Sequence, residues 1–380
     1  MIWRKIFRIV CYLSCFIKKF SAVRPMSPNG SGKTLKKLFF ALLSALIVVG
    51  ATGCSNRVWD REQFSPEHKI VIKFSHVVAE NTPKGLAAQR FARLVLEKTK
   101  GRVEVQVFPN STLYADGEEM QALQEGAVQI IAPATSKLGG VFPCWKIMDL
   151  PYAFEDIEAV HRALEGPIGQ RLTKSLEDRG FVILAFWDNG FKQLTNNVKP
   201  LILPSDVRGL KFRVMINNSL LEEQFGILGA TSTPIPFKDV YRLLESNQII
   251  GQENTISNIY SKKFYRVQKY LTMTNHGYLG YVVMTDKDYW ADLPEDIRKI
   301  LTDTLAEVTL WERSMAAQIN AVDYEQIKQD KEVIVTTLSP REREAWEKAL
   351  EPLYVRLGDE IGHDLVDELL KQKNNYQPSH

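Results

Sequence analysis

Cysteine is scarce in this 380-residue chain, and the positions of its four cysteines exclude a disulfide framework. Cys11, Cys15 and Cys54 lie near the N-terminus, which leaves Cys144 alone in the rest of the sequence. One cysteine cannot form an intramolecular bridge, so we expect a fold without disulfides. Cys144 directly precedes Trp145, a setting that favours a small packed side chain over a nucleophile.

The sequence also lacks the short motifs of common catalytic and metal sites. It contains no His-Glu-x-x-His, no Cys-x-x-Cys and no Gly-x-Ser-x-Gly pattern. Residues 29–34 are similar to the end of a phosphate-binding loop, but Ser27 stands where that loop requires its first glycine. The acidic residues show no arrangement that singles out a general acid and base. We therefore expect no catalytic constellation, no metal site and no cofactor.

Negative charge is absent from the first part of the chain. Residues 1–53 contain nine Lys or Arg and no Asp or Glu, whereas the remainder has a net charge of −6. An acidic body is a poor candidate for nucleic-acid binding, which needs a basic face. If such a body binds an anion, a few local cations must hold it.

The basic N-terminal segment has the order of a targeting signal. Three lysines between positions 33 and 37 precede an apolar run at 38–49, which is too short to span a bilayer comfortably. Small residues follow and end at Cys54, which resembles the cleavage box of a bacterial lipoprotein with Cys54 as the lipid-modified residue. Ala51 stands where leucine is usual, so ordinary cleavage near Gly53 stays open.

This reading divides the start of the chain into a signal region at 1–53 and a polar tether at 54–68. Met26 begins a conventional signal, with a short basic stretch before the apolar run, and is a candidate for the true start. The alternative is that residues 1–25 form a second apolar anchor. The signal predicts that the mature protein lies outside the cytoplasm, in the periplasm, with a lipid anchor to a bacterial membrane.

Beyond residue 68, short strand patterns alternate with helical ones, which indicates an α/β fold with mainly parallel sheets. The patterns predict strands at 70–74, 103–107, 128–132, 181–186, 210–216, 248–250 and 278–285, and helices at 82–100, 118–126 and 238–246. Ligands on such sheets bind beyond the strand ends, here where two domains face each other.

One helical pattern is much longer than the rest. Apolar residues recur at steps of three and four from 294 to about 330. At 1.5 Å per residue the helix would be about 50 Å long, more than the diameter of one small domain. We therefore expect it to bridge two domains.

Five motifs occur in order within about a hundred residues: WDNGFKQ at 187–193, GLKFRV at 209–214, PFKDVY at 236–241, GQEN at 251–254 and NHGYLGY at 275–281. Together they resemble the solute-binding proteins of TRAP transporters, most closely the DctP-like branch that captures four-carbon dicarboxylates. The resemblance implies a two-lobed periplasmic-binding-protein-like fold with a ligand cleft, crossover strands and no enzymatic activity. It predicts lobe I at 69–189 and 280–319, and lobe II at 190–279 and 320–376.

Arg213 is the leading candidate for ligand binding. Strand alternation places Phe212 and Val214 on one face and Arg213 on the other. A guanidinium grips a carboxylate through two parallel hydrogen bonds. Taken alone, a strand arginine more often faces water. The resemblance implies instead that Arg213 matches the family arginine that pairs with the ligand's carboxylate.

The resemblance also implies binding roles for Asn254, Lys192 and Lys137. Asn254 matches an asparagine whose amide faces the ligand, although an asparagine after a glycine also suits a turn. Lys192 stands where some relatives, including those that bind sialic acid, have an arginine. Lys137 aligns with another family cation. Either lysine could meet a second carboxylate, or could be a solvated surface residue.

Four further positions resemble residues that line the family's cleft: Phe237, Asn189, Trp187 and His76. The aromatic residues suit a hydrophobic core equally well, and His76 suits a structural role. With Arg213 as the clamp, the resemblance predicts closure around succinate, fumarate or malate, followed by delivery to the membrane subunits of a TRAP transporter. The alternatives are a monocarboxylate, a 2-oxo acid or a sugar acid as ligand, a ligand-sensing role beside a membrane sensor kinase, and an exported enzyme.

Overall fold

The computed structural model describes residues 59–376. The predicted signal region at 1–53, the alternative start at Met26 and the lipid-modified Cys54 lie outside these residues. Within 59–376, no helix combines the length and the apolar character needed to cross a membrane.

The described strands form two sheets, each of which is the centre of one lobe. In chain order they are β1 (Ile70–Ser75), β2 (Val103–Phe108), β3 (Ile130–Ile131), β4 (Phe181–Phe191), β5 (Gln193–Asn196), β6 (Lys211–Val214), β7 (Thr231–Pro234), β8 (Gly251–Asn254), β9 (Tyr270–Met273), β10 (Tyr278–Asp286) and β11 (Ile334–Thr337).

Helices cover and connect these sheets. They are α1 (Pro83–Lys98), α2 (Glu119–Gln124), α3 (Thr135–Leu138), α4 (Ile157–Glu165), α5 (Pro167–Glu177), α6 (Ser219–Ile227), α7 (Val240–Glu245), α8 (Ile256–Ser261), α9 (Lys287–Asp292), α10 (Glu295–Lys328), α11 (Pro340–Leu350), α12 (Pro352–Arg356), α13 (Gly358–Ile361) and α14 (His363–Asn374). Short 3-10 turns, such as Pro143–Asp149 and Phe237–Asp239, lie between them.

The sheet of lobe I has the order β2-β1-β3-β10-β4. Its first three strands are parallel, with Ile72 of β1 opposite Val105 of β2, as βαβ connections require. Ile70, Ile72 and Phe74 are fully buried. The helix α1, which packs on β2, begins with a Thr82 cap and Pro83 at its first position. The predicted parallel β-α pattern therefore holds in this part of the lobe.

The sheet of lobe II has the order β11-β9-β5-β8-β6-β7. β6 runs parallel to both β7 and β8, whereas β5 runs antiparallel to β8 and β9. Both sheets are therefore mixed, since β10 is also antiparallel to β3 and β4. The antiparallel pairs occur where the chain passes from one lobe to the other.

Two crossover connections join the lobes side by side. β4 of lobe I continues through Lys192 into β5 of lobe II, and β9 of lobe II returns through 274–277 into β10 of lobe I. Tyr278 pairs with Phe191 on one side of this hinge, and Leu194 pairs with Thr272 on the other. Together with the two sheets, these strands confirm the predicted two-lobed fold.

The long helix α10 has 34 residues, a length of about 51 Å. Its first part packs on α1 and β4 in lobe I. Near its end, Asn320 accepts a hydrogen bond from the Ser257 amide of α8 in lobe II, at 2.9 Å. The helix therefore bridges both lobes, as its apolar repeat predicts.

Several element limits differ from those predicted. β4 extends to Phe191 because it forms the crossover, and the strand predicted at 248–250 lies instead at Gly251–Asn254. Trp59, in the predicted tether, is buried against Tyr289 at a ring distance of 5.6 Å. Lys373, predicted to belong to lobe II, donates at 2.8 Å to the carbonyl of Tyr152, within the predicted lobe I. The predicted lobe limits stay a prediction.

Candidate ligand-binding site

A small cavity lies where the two lobes meet. Its volume is about 20 Å³, room for about one water. The side chains around it come from both lobes: Val77, Val78, Asp116, Ala134, Lys137, Arg213, Met215, Phe237, Asn254, Asn258, Leu279 and Tyr281. A four-carbon acid would therefore need the lobes to open before it could enter.

Arg213 reaches this cavity from β6. Phe212 and Val214 point into the core of lobe II, and Arg213 lies on the opposite face, which lobe I covers. Its Nε donates to the Ile235 carbonyl at 3.0 Å, whereas its buried Nη1 has no hydrogen-bond partner within residues 59–376. Burial lowers the pKa of Arg213 to about 10, against the pull of Asp116 and Glu253, so the guanidinium is charged at neutral pH.

Lys137 is the second cation in the cavity wall. It lies on α3, and its ammonium contacts the carboxylate of Asp116 and lies 3.7 Å from Glu119. Burial lowers the pKa of Lys137, but these two acidic groups outweigh burial and raise it. Lys137 therefore stays charged, with Asp116 already against it.

Asp116 joins the lobes and was not predicted as a site residue. While one oxygen contacts Lys137 in lobe I, the other accepts the backbone N–H of Phe237 in lobe II, at 2.5 Å. Burial would raise the pKa of Asp116, but Lys137, the Phe237 amide and Arg213 lower it, so it is a carboxylate. In the sequence, an aspartate directly before Gly117 indicates only a turn. The structure has that turn, with Gly117 at a φ of +87°.

Asn254 presents a donor to the cavity. Its Oδ1 accepts from the backbone N–H of Thr255 at 3.1 Å and from Nδ2 of Asn258 at 2.8 Å. Because the oxygen is engaged on both sides, the NH₂ group is the part left for a ligand. An amide NH₂ suits a carboxylate oxygen, which only accepts hydrogen bonds.

Phe237 supplies an apolar surface beside these polar groups. Its ring lies 5.9 Å from the guanidinium carbon of Arg213 and 5.3 Å from the ammonium of Lys262. Lys262 in turn donates to Asn110 of lobe I at 2.9 Å. Phe237 thus packs against the cation of Arg213 at the closed edge of the cavity.

Lys192 lies outside the cavity wall, in a separate buried cluster. Its ammonium is 3.0 Å from Glu253 and 3.3 Å from Asp149, and all three side chains are fully buried. His276 contacts the second oxygen of Glu253 at 2.7 Å. This differs from the expectation that Lys192 meets a ligand carboxylate, because two protein carboxylates already occupy its ammonium.

Asn189 and Trp187 are also engaged with the protein. Asn189 donates to Thr255 at 2.8 Å and to the Tyr281 hydroxyl at 2.9 Å, so it supports the cavity wall from behind. Trp187 is fully buried, and its indole N–H donates to Thr309 of α10 at 3.0 Å. The structure brings neither side chain to the cavity.

His76 is buried next to cavity residues without lining the cavity itself. Val77 and Val78 follow it in the wall. Neither of its ring nitrogens has a partner among the described residues. Burial, with Lys84 nearby, lowers the pKa of His76 to about 3, so the ring is neutral.

Lys84 is a further buried cation that sequence reasoning missed. Its ammonium donates to the Ala132 carbonyl at 2.7 Å and lies 3.7 Å from the centre of the Tyr281 ring. Burial lowers the pKa of Lys84 to about 7. In the sequence Lys84 is the second residue of a predicted helix, a position that is usually solvated. The sequence therefore gives no sign that Lys84 is buried.

Two larger hollows, of about 730 and 800 Å³, lie elsewhere on the protein. The second reaches the hinge and includes Arg313 and Arg343. These arginines are paired with acidic residues, Arg313 with Glu165 at 3.0 Å and Arg343 with Glu155 at 2.9 Å. Nε of Arg313 is a buried donor without a partner among residues 59–376, as Nη1 of Arg213 is, but Arg313 already holds a carboxylate, whereas Arg213 forms no ion pair within these residues. Within the described part of the chain, no group of three or more His, Cys, Asp or Glu is arranged to hold a metal.

Two lobes joined by crossover strands, with a closed cavity that carries two buried cations, define a solute-binding protein. The chain belongs to the family of bacterial extracellular solute-binding proteins, family 7 (DctP), which matches residues 74–360. This confirms the resemblance to the TRAP solute-binding proteins, a family of binding proteins rather than enzymes.

Several relatives and solved structures are similar to this chain over most of its length. The C4-dicarboxylate-binding protein DctB of Bacillus subtilis is 48% identical over 324 residues, which are 85% of this chain and 92% of the relative. A TRAP solute-binding protein of Shewanella oneidensis, solved with bound succinate, is 42% identical, with a TM-score of 0.78 over 80% of this chain and 99% of its own. One from Pseudomonas aeruginosa, with bound L-malate, is 37% identical, with a TM-score of 0.73 over 76% and 99%.

Proposed function

We propose that this protein captures four-carbon dicarboxylates outside the cytoplasm, by closing its two lobes around them. The observation that carries the proposal is the pair of buried cations, Arg213 and Lys137, in one cavity, where Nη1 of Arg213 has no partner among the described residues. The relatives support it: one is named for binding C4-dicarboxylates, and two were solved with succinate or L-malate bound.

In this proposal each polar group of the wall has a distinct role. Arg213 holds one carboxylate, and the NH₂ group of Asn254 donates to the same end of the ligand. Lys137 binds the second carboxylate, which takes the place of Asp116 on the ammonium. Phe237 packs on the carbon chain. Charge-assisted bonds in a site closed to water are stronger than in solvent, which favours the closed state once ligand is present.

The remaining predicted site residues act indirectly. Asn189 holds Tyr281 in the wall, Lys192 joins the strands beside the hinge, and Trp187 packs at the root of the crossover. His76 shapes the loop that carries two wall residues. None of these needs to touch the ligand, and the mechanism requires no catalytic residue or cofactor.

The proposal extends to the surroundings of the protein. Cleavage before Cys54 and lipid attachment there would tether the protein to a bacterial membrane, and the membrane subunits of a TRAP transporter would receive the ligand. Mass spectrometry of membrane-extracted protein checks the anchor: a diacylglyceryl group on Cys54 supports it. Soluble protein that still carries residues before Cys54 would contradict it.

Calorimetry with the mature protein tests the ligand class. Succinate, fumarate and malate should bind, whereas butyrate should bind roughly tenfold to a hundredfold more weakly, because it lacks one charge-assisted contact worth about 1.5–3 kcal/mol. Gluconate, pyruvate and butyrate represent the alternative ligand classes. Equal affinity for butyrate and succinate, or heat only with gluconate or pyruvate, would overturn the dicarboxylate proposal.

A further inference from the structure

The side-chain oxygen of Asn258 is a buried hydrogen-bond acceptor in a residue of the cavity wall. Asn258 lies on α8, four residues after Asn254, and its side chain is buried within the cavity lining. Its Oδ1 has no hydrogen-bond partner among residues 59–376. A buried acceptor without a partner is costly in a native structure, so this oxygen needs an explanation.

The orientation of the Asn258 amide follows from its neighbours. The Thr255 backbone N–H can only donate, so the Asn254 atom that it meets, at 3.1 Å, must be the oxygen. Asn258 contacts that same oxygen at 2.8 Å, and must do so with its NH₂ group. The oxygen of Asn258 is therefore fixed on the other side, without the ambiguity usual for asparagine.

The Oδ1 of Asn258 is a carbonyl oxygen, so it can only accept hydrogen bonds. No donor among the described residues reaches it. It is therefore left as a pure acceptor.

In the structure, the wall has no second buried acceptor without a partner among the described residues. Arg213, Lys137 and Asn254 offer donors, which suit carboxylates. Asp116 is an acceptor, but its oxygens are held by Lys137 and by the Phe237 amide. Carboxylate groups only accept hydrogen bonds. A diacid without a further polar group, such as succinate, therefore has no donor for Oδ1 of Asn258.

We infer that Asn258 is a specificity-determining residue, whose Oδ1 accepts a hydrogen bond from a donor group on the ligand carbon next to a carboxylate. The inference rests on the proposed function, since it assumes that a diacid occupies this cavity. The hydrogen bond between the two amides holds the Asn258 side chain next to Asn254, whose NH₂ group binds that carboxylate in the proposed function. A 2-hydroxy diacid such as malate fits this arrangement, and a 2-ammonium diacid such as aspartate carries the same kind of donor.

The preference should be about tenfold for one enantiomer of malate over succinate, because one neutral hydrogen bond is gained and a buried acceptor is satisfied. The opposite enantiomer directs its hydroxyl elsewhere and should bind no better than succinate. Aspartate, tested beside malate, separates a hydroxyl site from an ammonium site. Tighter binding of aspartate than of malate would identify the donor as an ammonium.

Calorimetric titrations of wild type, Asn258→Ala and Asn258→Leu with succinate, both malate enantiomers and aspartate test the inference. The preference for a donor-bearing ligand should disappear in both variants, while succinate affinity changes less than the affinity for the preferred ligand. Ser261→Ala, at the end of the same helix and outside the cavity lining, should keep the wild-type preference. Two variants of different size guard against a folding defect in one of them.

The outcomes separate the inference from the proposed function. If wild type binds succinate and both malate enantiomers equally, and aspartate no better, the inference is wrong while the dicarboxylate proposal stands. The same holds if the Asn258 variants weaken all ligands by one factor, which would mean that Asn258 only orients Asn254. If wild type binds none of these acids, the proposed function fails, and the inference fails with it.

Discussion

The cavity and the Lys192 cluster are both buried and charged, but they differ in whether the protein itself pairs the buried cation. In the cluster, Lys192 is compensated by Glu253 and Asp149, and Glu253 also contacts His276. In the cavity, Nη1 of Arg213 has no partner within residues 59–376, and Asn254 lines the cavity with its oxygen already engaged by the protein. Buried positive charge alone therefore does not identify a ligand site. A buried guanidinium that keeps a free donor and has no carboxylate partner within residues 59–376 identifies it.

Removing the cation should have different consequences in the two regions. Loss of Lys192 leaves two buried carboxylates uncompensated, which is a folding problem. Loss of Arg213 leaves fewer donors for the ligand, which is a binding problem. The variants below test this contrast, in decreasing order of expected effect.

Lys192→Met should lower the free energy of unfolding by about 3–5 kcal/mol, because breaking a buried ion pair leaves its partners without compensation. Urea denaturation measures the loss. Lys199→Met is the matched control, because Lys199 forms an ion pair with Asp206 at the surface, at 2.9 Å, and should cost less than about 1 kcal/mol. A stable Lys192→Met that no longer binds any dicarboxylate would mean that Lys192 is a ligand contact after all.

Arg213→Ala should fold but bind dicarboxylates roughly thirtyfold to several-thousandfold more weakly, because a buried charge pair loses one member at a cost of about 2–5 kcal/mol. Calorimetry measures this. Arg213→Lys should recover only part of the affinity, since an ammonium lacks the planar fork. Lys211→Ala, exposed on the same strand, is the control and should bind like wild type. Wild-type affinity in Arg213→Ala would remove the basis of the proposed clamp.

His76 should make the fold sensitive to acid. Burial lowers its pKa from 6.5 to about 3, so below pH 6.5 the unfolded state binds a proton that the folded state does not. The contribution of the neutral ring is complete above pH 6.5 and is lost as the pH falls towards 3. At pH 5 the loss should be about 2 kcal/mol.

Comparison with His76→Gln isolates this effect from other titrating groups. Urea denaturation at pH 7.5 and pH 5 should show that wild type loses about 2 kcal/mol more stability than the variant does. Equal losses in both proteins would indicate that His76 becomes solvated or paired in the folded state.

Lys262→Ala should have the smallest effect, a twofold to tenfold weaker affinity for dicarboxylates. Its hydrogen bond to Asn110 joins the lobes at 2.9 Å, and one such contact contributes about 0.5–1.5 kcal/mol to the closed state. The free energy of unfolding should change little. A large loss of affinity would place Lys262 among the residues that bind the ligand directly.

Sequence patterns predicted the fold where apolar periodicity is strong. The repeats of β1, α1 and α10 predict these elements within a few residues, because one buried face dictates each of them. The strands β5 and β8 are less apparent, since GQEN and QLTN are polar. Their polar residues serve the cavity, the ion cluster and buried hydrogen bonds, so local propensity and final structure disagree.

The same limit applies to the site. Alternation around Arg213 correctly separates it from the apolar face of β6. It cannot predict that Asp149 and Glu253, which are more than a hundred residues apart in the sequence, both meet Lys192. Nor can it predict that Asp116 bridges to the amide of Phe237. Pairings of this kind depend on how the lobes close, which no local pattern encodes.

A crystal structure of the protein with succinate tests the account most directly, because it shows which cation each carboxylate binds. We predict one carboxylate at about 2.7–3.2 Å from the guanidinium nitrogens of Arg213 and the other on Lys137, with Asp116 displaced from that ammonium. Lys192 should remain on Glu253 and Asp149, at the distances described above. A succinate carboxylate bound to Lys192, with Arg213 making no contact to the ligand, would contradict the account.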